Sequence, residues 1–130
     1  MKLPDTCIWI EALAGTATGQ RYYPLLRQTS TLVVPTLVQY ELRRWCLRAL
    51  RNGLAEDVAD RAIAATRAAR IIALDEPTAL YAAELAQLHG LASADALIYA
   101  SALREQAELV TCDAHFKGLP GVSYQAKLAR

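Results

Sequence analysis

Four acidic residues lie at positions in the sequence where a carboxylate could bind a ligand instead of only facing solvent. They are Asp5, Glu41, Asp95 and Asp113, called the acidic quartet below. Asp5 and Asp113 follow short apolar runs that predict strands, and in open α/β sheets ligands bind beyond the carboxyl ends of the strands. Asp95 falls in the first turn of a predicted helix, where backbone amides and the helix dipole favour an anion. These positions predict one shared acidic site.

Of the four acids, Glu41 is the hardest to explain by a structural role alone. It lies on the apolar face of a predicted helix, four residues after Leu37 and four before Trp45. A carboxylate there is costly unless it is paired or binds a metal. Each acid taken alone still has an ordinary explanation: a strand-end turn, a helix cap, or a side chain that reaches solvent.

The four acids together point to metal chemistry. Their charges would repel in a shared cleft, so a cluster is stable only if divalent cations hold it together. Carboxylate oxygens are the ligands that Mg²⁺ or Mn²⁺ prefers. The chemistry that such a site supports is metal-assisted hydrolysis of a phosphodiester.

Two hydroxyl residues are candidates for orienting these acids. Thr111 precedes Asp113 by two, so in an extended segment both side chains share a face. Thr6 adjoins Asp5. Alternatively, Thr111 reflects β-propensity alone and Thr6 caps the following helix.

The elements that must position these residues alternate as βααβααβααβ, with an optional last strand. This order predicts a three-layer α/β/α domain with a central, mostly parallel sheet. The predicted strands are 1–4, 31–34, a buried strand at 71–74, 108–111 and the optional 122–124. The predicted helices are 8–13, 22–28, 37–51, 56–70, one that ends at 89–90, and 94–106, with a loop at 15–19. Thr36, Asp75 or Thr78, and Ser93 are the candidate N-caps.

Composition restricts the class of protein. At 130 residues and 54% hydrophobic, the chain predicts one compact domain, 1–130, without a disordered tail. The longest uncharged apolar stretches are too short to span a membrane, and Pro4 and Asp5 interrupt the start where a signal peptide needs an apolar segment. A cytoplasmic protein is therefore expected. Three cysteines without metal-type spacing predict free thiols, and zinc is not expected.

Four segments carry a family resemblance. They are Asp5-Thr6-Cys7-Ile8-Trp9-Ile10, Thr36-Leu37-Val38-Gln39-Tyr40-Glu41, Ala94-Asp95-Ala96-Leu97-Ile98-Tyr99-Ala100 and Leu109-Val110-Thr111-Cys112-Asp113-Ala114-His115-Phe116. In order and spacing they resemble PIN-domain ribonucleases of the VapC type, the toxins of bacterial toxin-antitoxin pairs. The resemblance implies an endoribonuclease that acts on single-stranded or looped RNA, a homodimer, and an antitoxin that blocks the site.

The resemblance also assigns roles to residues. It implies that the acidic quartet binds Mg²⁺ or Mn²⁺ and that Thr6 and Thr111 support it. Two features depart from the pattern: the first strand is short, with Pro4 directly before Asp5, and Cys7 stands where the family often has Asn or Ser. A polar contact from Cys7 to the site is therefore not expected.

Residues outside the quartet offer a partner surface. Arg44 and Arg48, one helical turn apart, form the most coherent pair for phosphate contacts, although a solvated helix face explains them equally well. His115 is interpreted as a turn residue. Aromatic residues of the first two helices, Trp9, Tyr22 and Tyr23, are expected to form an apolar groove beside the acids, and Ala-rich helices are candidates for a dimer or antitoxin surface.

Two other classes of protein share parts of this pattern. A catalytically silent PIN-like binding module would keep the fold and the partner surface, and the intact quartet argues against it. A phospho-receiver domain needs an acidic pair after its first strand and a Lys near its last strand. Asp5-Thr6 does not supply the pair, and Lys117 lies beyond Asp113. We therefore expect a ribonuclease whose antitoxin inserts a basic side chain, an Arg, among the four acids.

Overall fold

Five short parallel strands form the centre of the molecule. A computed structural model describes residues 1–129. The strands are β1 (Lys2–Pro4), β2 (Val33–Pro35), β3 (Arg70–Ile72), β4 (Glu108–Thr111) and β5 (Val122–Tyr124). Strands β1, β4 and β5 pair in one group and β2 and β3 in another, all in parallel. A parallel bridge between Lys2 and Leu32 joins the groups, so the strand order is β3-β2-β1-β4-β5.

Pairs of helices connect the first four strands. They are α1 (Thr6–Ala14), α2 (Ala17–Leu26), α3 (Thr36–Arg51), α4 (Glu56–Arg67), α5 (Glu76–His89) and α6 (Ser93–Arg104), with 3₁₀ turns at Thr29–Thr31 and Ala114–Phe116. From β1 to β3 the chain moves in one direction across the sheet, and from β3 to β4 it reverses. Because parallel crossovers are right-handed, α1–α4 cover one face of the sheet and α5 and α6 the other. The predicted three-layer architecture is confirmed.

The central strands are buried, whereas one edge is not. Leu3, Val34 and Leu109 on β1, β2 and β4 are fully buried, as expected for parallel strands covered on both faces. The prediction of a buried strand at 71–74 is wrong in both bounds and burial. Strand β3 begins at Arg70, and both Arg70 and Ile71 are exposed because β3 forms the edge of the sheet.

Helix starts differ from the sequence-based expectation in two ways. Pro35 and Ala92 occupy the N-cap positions of α3 and α6, and neither makes a side-chain cap, so Thr36 and Ser93 are first helical residues instead. The cap at Asp75 is confirmed, because its carboxylate accepts a hydrogen bond from the Thr78 amide at 2.9 Å.

The predicted loop at 15–19 is wrong, because a second helix starts inside it. Gly15 ends α1 in the left-handed conformation, and Thr16 then caps α2 by accepting a hydrogen bond from the Gly19 amide at 3.0 Å. Gly19 is buried, and a Cβ built on it would lie 2.1 Å from the Glu11 carbonyl oxygen. The absence of a side chain at Gly19 allows α1 and α2 to approach closely.

Replacing Gly19 by Ala should therefore destabilise the fold, although Ala is the better helix former. The added methyl meets backbone and the two helices must separate, so we expect a loss of about 1–3 kcal/mol in the free energy of unfolding. Urea denaturation measures this. Gln20→Ala on the same helix is the control, because Gln20 is exposed and its replacement should be neutral. Equal stability of both variants would contradict the close approach.

No helix in the described part of the chain is both long enough and apolar enough to cross a bilayer.

Candidate active site

The site lies where the strand order reverses. Strands β1 and β4 are neighbours, and the connections leaving their carboxyl ends run to opposite faces of the sheet. Asp5 follows β1 and Asp113 follows β4, and the Asp5 amide donates to the Val110 carbonyl at 2.8 Å. Parallel register thus brings residues 108 positions apart to one crevice, which is where α/β sheets bind ligands.

Asp5 is the buried centre of the site. Its side chain caps α1, with Oδ1 accepting from the Thr6 amide at 2.8 Å and Oδ2 accepting from the Thr111 hydroxyl at 2.8 Å. Burial raises the pKa of Asp5 to about 6, the charge of Asp95 adds to the rise, and the hydrogen bonds oppose it. The free protein therefore holds a proton there up to mildly acidic pH.

Both predicted supporting hydroxyls contact the acids. Thr6 Oγ1 donates to Glu41 Oε1 at 2.6 Å, which ties α1 to α3. Thr111 Oγ1 donates to Asp5 and accepts from the Asp113 amide at 2.9 Å. Because Asp5 is the N-cap of α1, the alternative that Thr6 is that cap is wrong.

Cys7 makes a polar contact that the sequence did not lead us to expect. Its Sγ donates to Asp5 Oδ2 at 3.5 Å and lies 3.5 Å from Thr111 Oγ1. A hydrogen bond with Cys112, burial and the charge of Asp5 all raise the pKa of Cys7, so the thiol keeps its proton and remains a donor. The three cysteines are free thiols, as predicted.

Asp95 and Asp113 meet on the exposed side of the site, together with His115, which the sequence predicted only as a turn residue. His115 Nδ1 lies 3.2 Å from Asp113 Oδ1 and 3.5 Å from Asp95 Oδ2. Burial and the charge of Asp113 raise the pKa of Asp95, and His115 opposes that rise. In the sequence, the only indication of this contact is the spacing Asp-x-His before an apolar Phe. The turn at 114–116 places the imidazole next to the two acids.

One cleft of about 370 Å³ contains the whole quartet. Arg44 and Arg48 line the same cleft from α3, together with the aromatic side chains of Tyr40 and Trp45. Among residues 1–129, His115 is the only basic side chain with a nitrogen within 4.0 Å of a carboxylate oxygen of the quartet. In this part of the chain, no Lys or Arg forms an ion pair with the quartet.

This donor set fits a divalent cation. It offers carboxylate oxygens at the N-cap of α1, on α3, on α6 and at the turn after β4. Burial, and to a smaller extent the charge of a neighbouring acid, raises the pKa values of Asp5 and Asp95. Ligand atoms of Asp95, Asp113 and His115 all lie within 4.8 Å of one another, as atoms around a common ion do. Hard cations that prefer oxygen ligands match this chemistry.

A second cleft of about 430 Å³ lies between the helices of the α1–α4 layer. It is lined mainly by apolar side chains, including Trp9, Leu13 and Tyr23, with Arg27 and Arg61 among them. Trp9 Nε1 is buried and has no hydrogen-bond partner among the described residues. An apolar groove is therefore present at Trp9 and Tyr23, but it shares no lining residue with the cleft of the acidic quartet. Tyr22 does not line it, because Tyr22 packs on the other side of α2 against Ile8, Val110 and Cys112.

Comparison with known families identifies the family of the chain. The family model of the PIN domain matches residues 2–122. The chain belongs to the PIN domain family, which confirms that part of the sequence-based resemblance. A comparison with curated proteins finds no match.

Solved structures share the fold over nearly the whole chain. One is a toxin-antitoxin complex from Klebsiella pneumoniae, at 22% identity over 95% of this chain and 96% of that chain, with a TM-score of 0.79. Another is PAE2754 from Pyrobaculum aerophilum, at 20% identity over 95% and 89% of the two chains, with a TM-score of 0.73. A third is VapBC2 from Rickettsia felis bound to a promoter DNA fragment, at 20% identity over 96% and 97%, with a TM-score of 0.68.

Proposed function

We propose that the chain is a metal-dependent endoribonuclease of the VapC type, the toxin of a type II toxin-antitoxin pair. The observation that carries the proposal is the gathering of the acidic quartet in one cleft that Arg44 and Arg48 also line. Membership of the PIN family, whose members are generally nucleases, supports the reaction class. The proposal treats residues 1–130 as one nuclease domain acting on RNA in the cytoplasm.

Each residue has a role in this proposal. The quartet would hold Mg²⁺ or Mn²⁺, which when bound supplies an activated water and stabilises charge on the phosphate. The Thr111 hydroxyl would orient the Asp5 carboxylate and the backbone of Asp113 through its hydrogen bonds to both. The Thr6 hydroxyl would orient the Glu41 carboxylate in the same way. Arg44 and Arg48 would bind phosphates of the RNA backbone, which fixes the strand without reading its sequence.

Incubation of partner-free protein with structured RNA tests this function. Cleavage should require Mg²⁺ or Mn²⁺ and stop in chelator, and sequencing of the new RNA ends identifies the target. Cleavage that continues in chelator would contradict the metal role. Intact RNA with every metal tried would instead favour the catalytically silent binding module.

Metal affinity should fall with decreasing pH. Because the free protein holds the Asp5 proton up to a pKa of about 6, a cation must displace that proton at lower pH. Apparent Mn²⁺ affinity should change little above pH 7 and fall by up to about tenfold per pH unit below pH 6, as measured by calorimetry. In Asp5→Asn the fall should be shallower, because the cation no longer displaces the Asp5 proton. An affinity that is constant from pH 5 to 7 would contradict ligation by Asp5.

Arg44→Ala and Arg48→Ala should each weaken RNA binding uniformly across sequences. Each removes one phosphate contact, so the slope of log affinity against log salt should decrease by about one. Fluorescence anisotropy with a cleavage-deficient background measures this. Arg51→Ala is the control, since Arg51 lies on the same helix outside the cleft. Equal losses in all three variants would indicate only a general charge effect.

The proposal includes an antitoxin that places an Arg among the quartet and an apolar segment in the groove at Trp9 and Tyr23. A guanidinium forms bidentate pairs with carboxylates. Among residues 1–129, no Lys or Arg nitrogen lies within 4.0 Å of a carboxylate oxygen of the quartet. The Klebsiella pneumoniae structure with the same fold is a toxin-antitoxin complex, which supports such a partner.

A homodimer is also part of the proposal. Leu80 and Leu88 on α5 are 62% and 74% exposed, so this helix offers apolar surface for a second copy. Light scattering of the purified protein decides between monomer and dimer.

A further inference from the structure

We propose that His115 is a ligand of the bound cation, in addition to the carboxylates; the inference rests on the metal site of the proposed function. The acidic quartet does not by itself require a histidine ligand. The placement of one imidazole nitrogen against two of the acids points to it.

The distances would allow the three ligand atoms to share an ion. His115 Nδ1 lies 3.2 Å from Asp113 Oδ1 and 3.5 Å from Asp95 Oδ2. Adjacent ligands of an octahedral ion with bonds of roughly 2.1 Å are separated by roughly 3 Å. A cation among these three atoms needs only a small adjustment of the side chains.

The backbone that carries His115 is anchored, although the side chain is 75% exposed. The His115 amide donates to Asp113 Oδ1 at 2.9 Å, and Asp113 caps the 3₁₀ turn that carries His115. Phe116, the next residue, is fully buried, and its ring lies 6.3 Å from that of Tyr99. The turn is therefore anchored on both sides of His115, and the side chain is presented to the acids with little freedom of the main chain.

A nitrogen ligand changes which metal the site prefers. Mg²⁺ binds almost only oxygen, whereas imidazole nitrogen is a good ligand for transition-metal ions. The quartet alone would accept either class. His115 should therefore favour Mn²⁺ over Mg²⁺, and its removal should weaken Mn²⁺ binding by at least about tenfold while affecting Mg²⁺ less.

Electron spin-echo spectroscopy of Mn²⁺ bound to the untagged full chain tests the ligand directly. The chain contains two histidines, so nitrogen modulation from imidazole has two possible sources. We expect the modulation in the unmodified protein and in His89→Ala, since His89 lies against Tyr99 at the end of α5. It should be absent in His115→Ala, where calorimetry should also show the lowered ratio of Mn²⁺ to Mg²⁺ affinity.

The outcomes separate this inference from the proposed function. Mn²⁺ that binds without imidazole modulation, or with modulation that persists in His115→Ala, would overturn the role of His115 and leave the carboxylate site standing. A chain that binds no Mn²⁺ at all would overturn both. His115 is exposed, so its replacement should not prevent folding, and an unchanged circular dichroism spectrum verifies this.

Discussion

Replacing Asp5 by Asn is expected to lower the rate of RNA cleavage by at least about a thousandfold. The change removes the charge that is buried deepest among the four acids while keeping the shape of the side chain. Charge placed in a water-excluded site is worth far more than charge at the surface, and the loss of one such group typically costs a hundredfold to a thousandfold. The loss of a metal ligand adds to this cost.

Single-turnover cleavage of one RNA substrate at saturating Mg²⁺ and Mn²⁺ measures the effect. Asp57→Asn is the matched control, because Asp57 is an exposed carboxylate whose ion-pair partner is Arg61 on its own helix. That variant should cleave at the unmodified rate. Cleavage by Asp5→Asn within tenfold of the control would contradict the assignment of the site, provided that both variants unfold at similar temperatures.

Filling the apolar groove should release the protein from its antitoxin without affecting its nuclease activity. Ala65 is exposed on α4 and lines the groove with Trp9 and Tyr23. In Ala65→Trp the indole would occupy the space that the partner needs. Loss of a central apolar contact costs about 2 kcal/mol or more, so we expect antitoxin affinity to fall by at least about thirtyfold.

Ala64→Trp is the control, because Ala64 is the exposed neighbour that does not line the groove. Calorimetry with the antitoxin recovered from the copurified complex gives the affinity, and the RNA cleavage assay shows whether activity remains. Equal binding of the antitoxin to both variants would place the partner elsewhere. An isolated chain that is fully active, is expressed without toxicity and copurifies with no partner would contradict the antitoxin altogether.

The sequence by itself determined the alternation of elements and the positions of the acids along the chain. Apolar runs at 108–111 and 122–124 predict strands that the structure contains with the same bounds. Asp5 and Asp113 could be found because strand ends and crevices coincide in parallel sheets. Glu41 could be found because a carboxylate on an apolar helix face is costly to bury unless it is paired or binds a metal. Strand ends and helix faces are local features of the sequence, so they can be recognised without knowledge of the tertiary structure.

Tertiary structure alone decided which side chains meet. The contacts of Cys7 with Asp5 and Thr111 depend on the pairing of β1 with β4, which no local pattern specifies. The exposure of β3 depends on its place at the sheet edge. Gly19 is required by the approach of α1, and His115 reaches the acids only through the turn at 114–116. The sequence shows which chemical groups the chain carries and in what order. The distances between groups that are remote in sequence depend on strand register and helix packing.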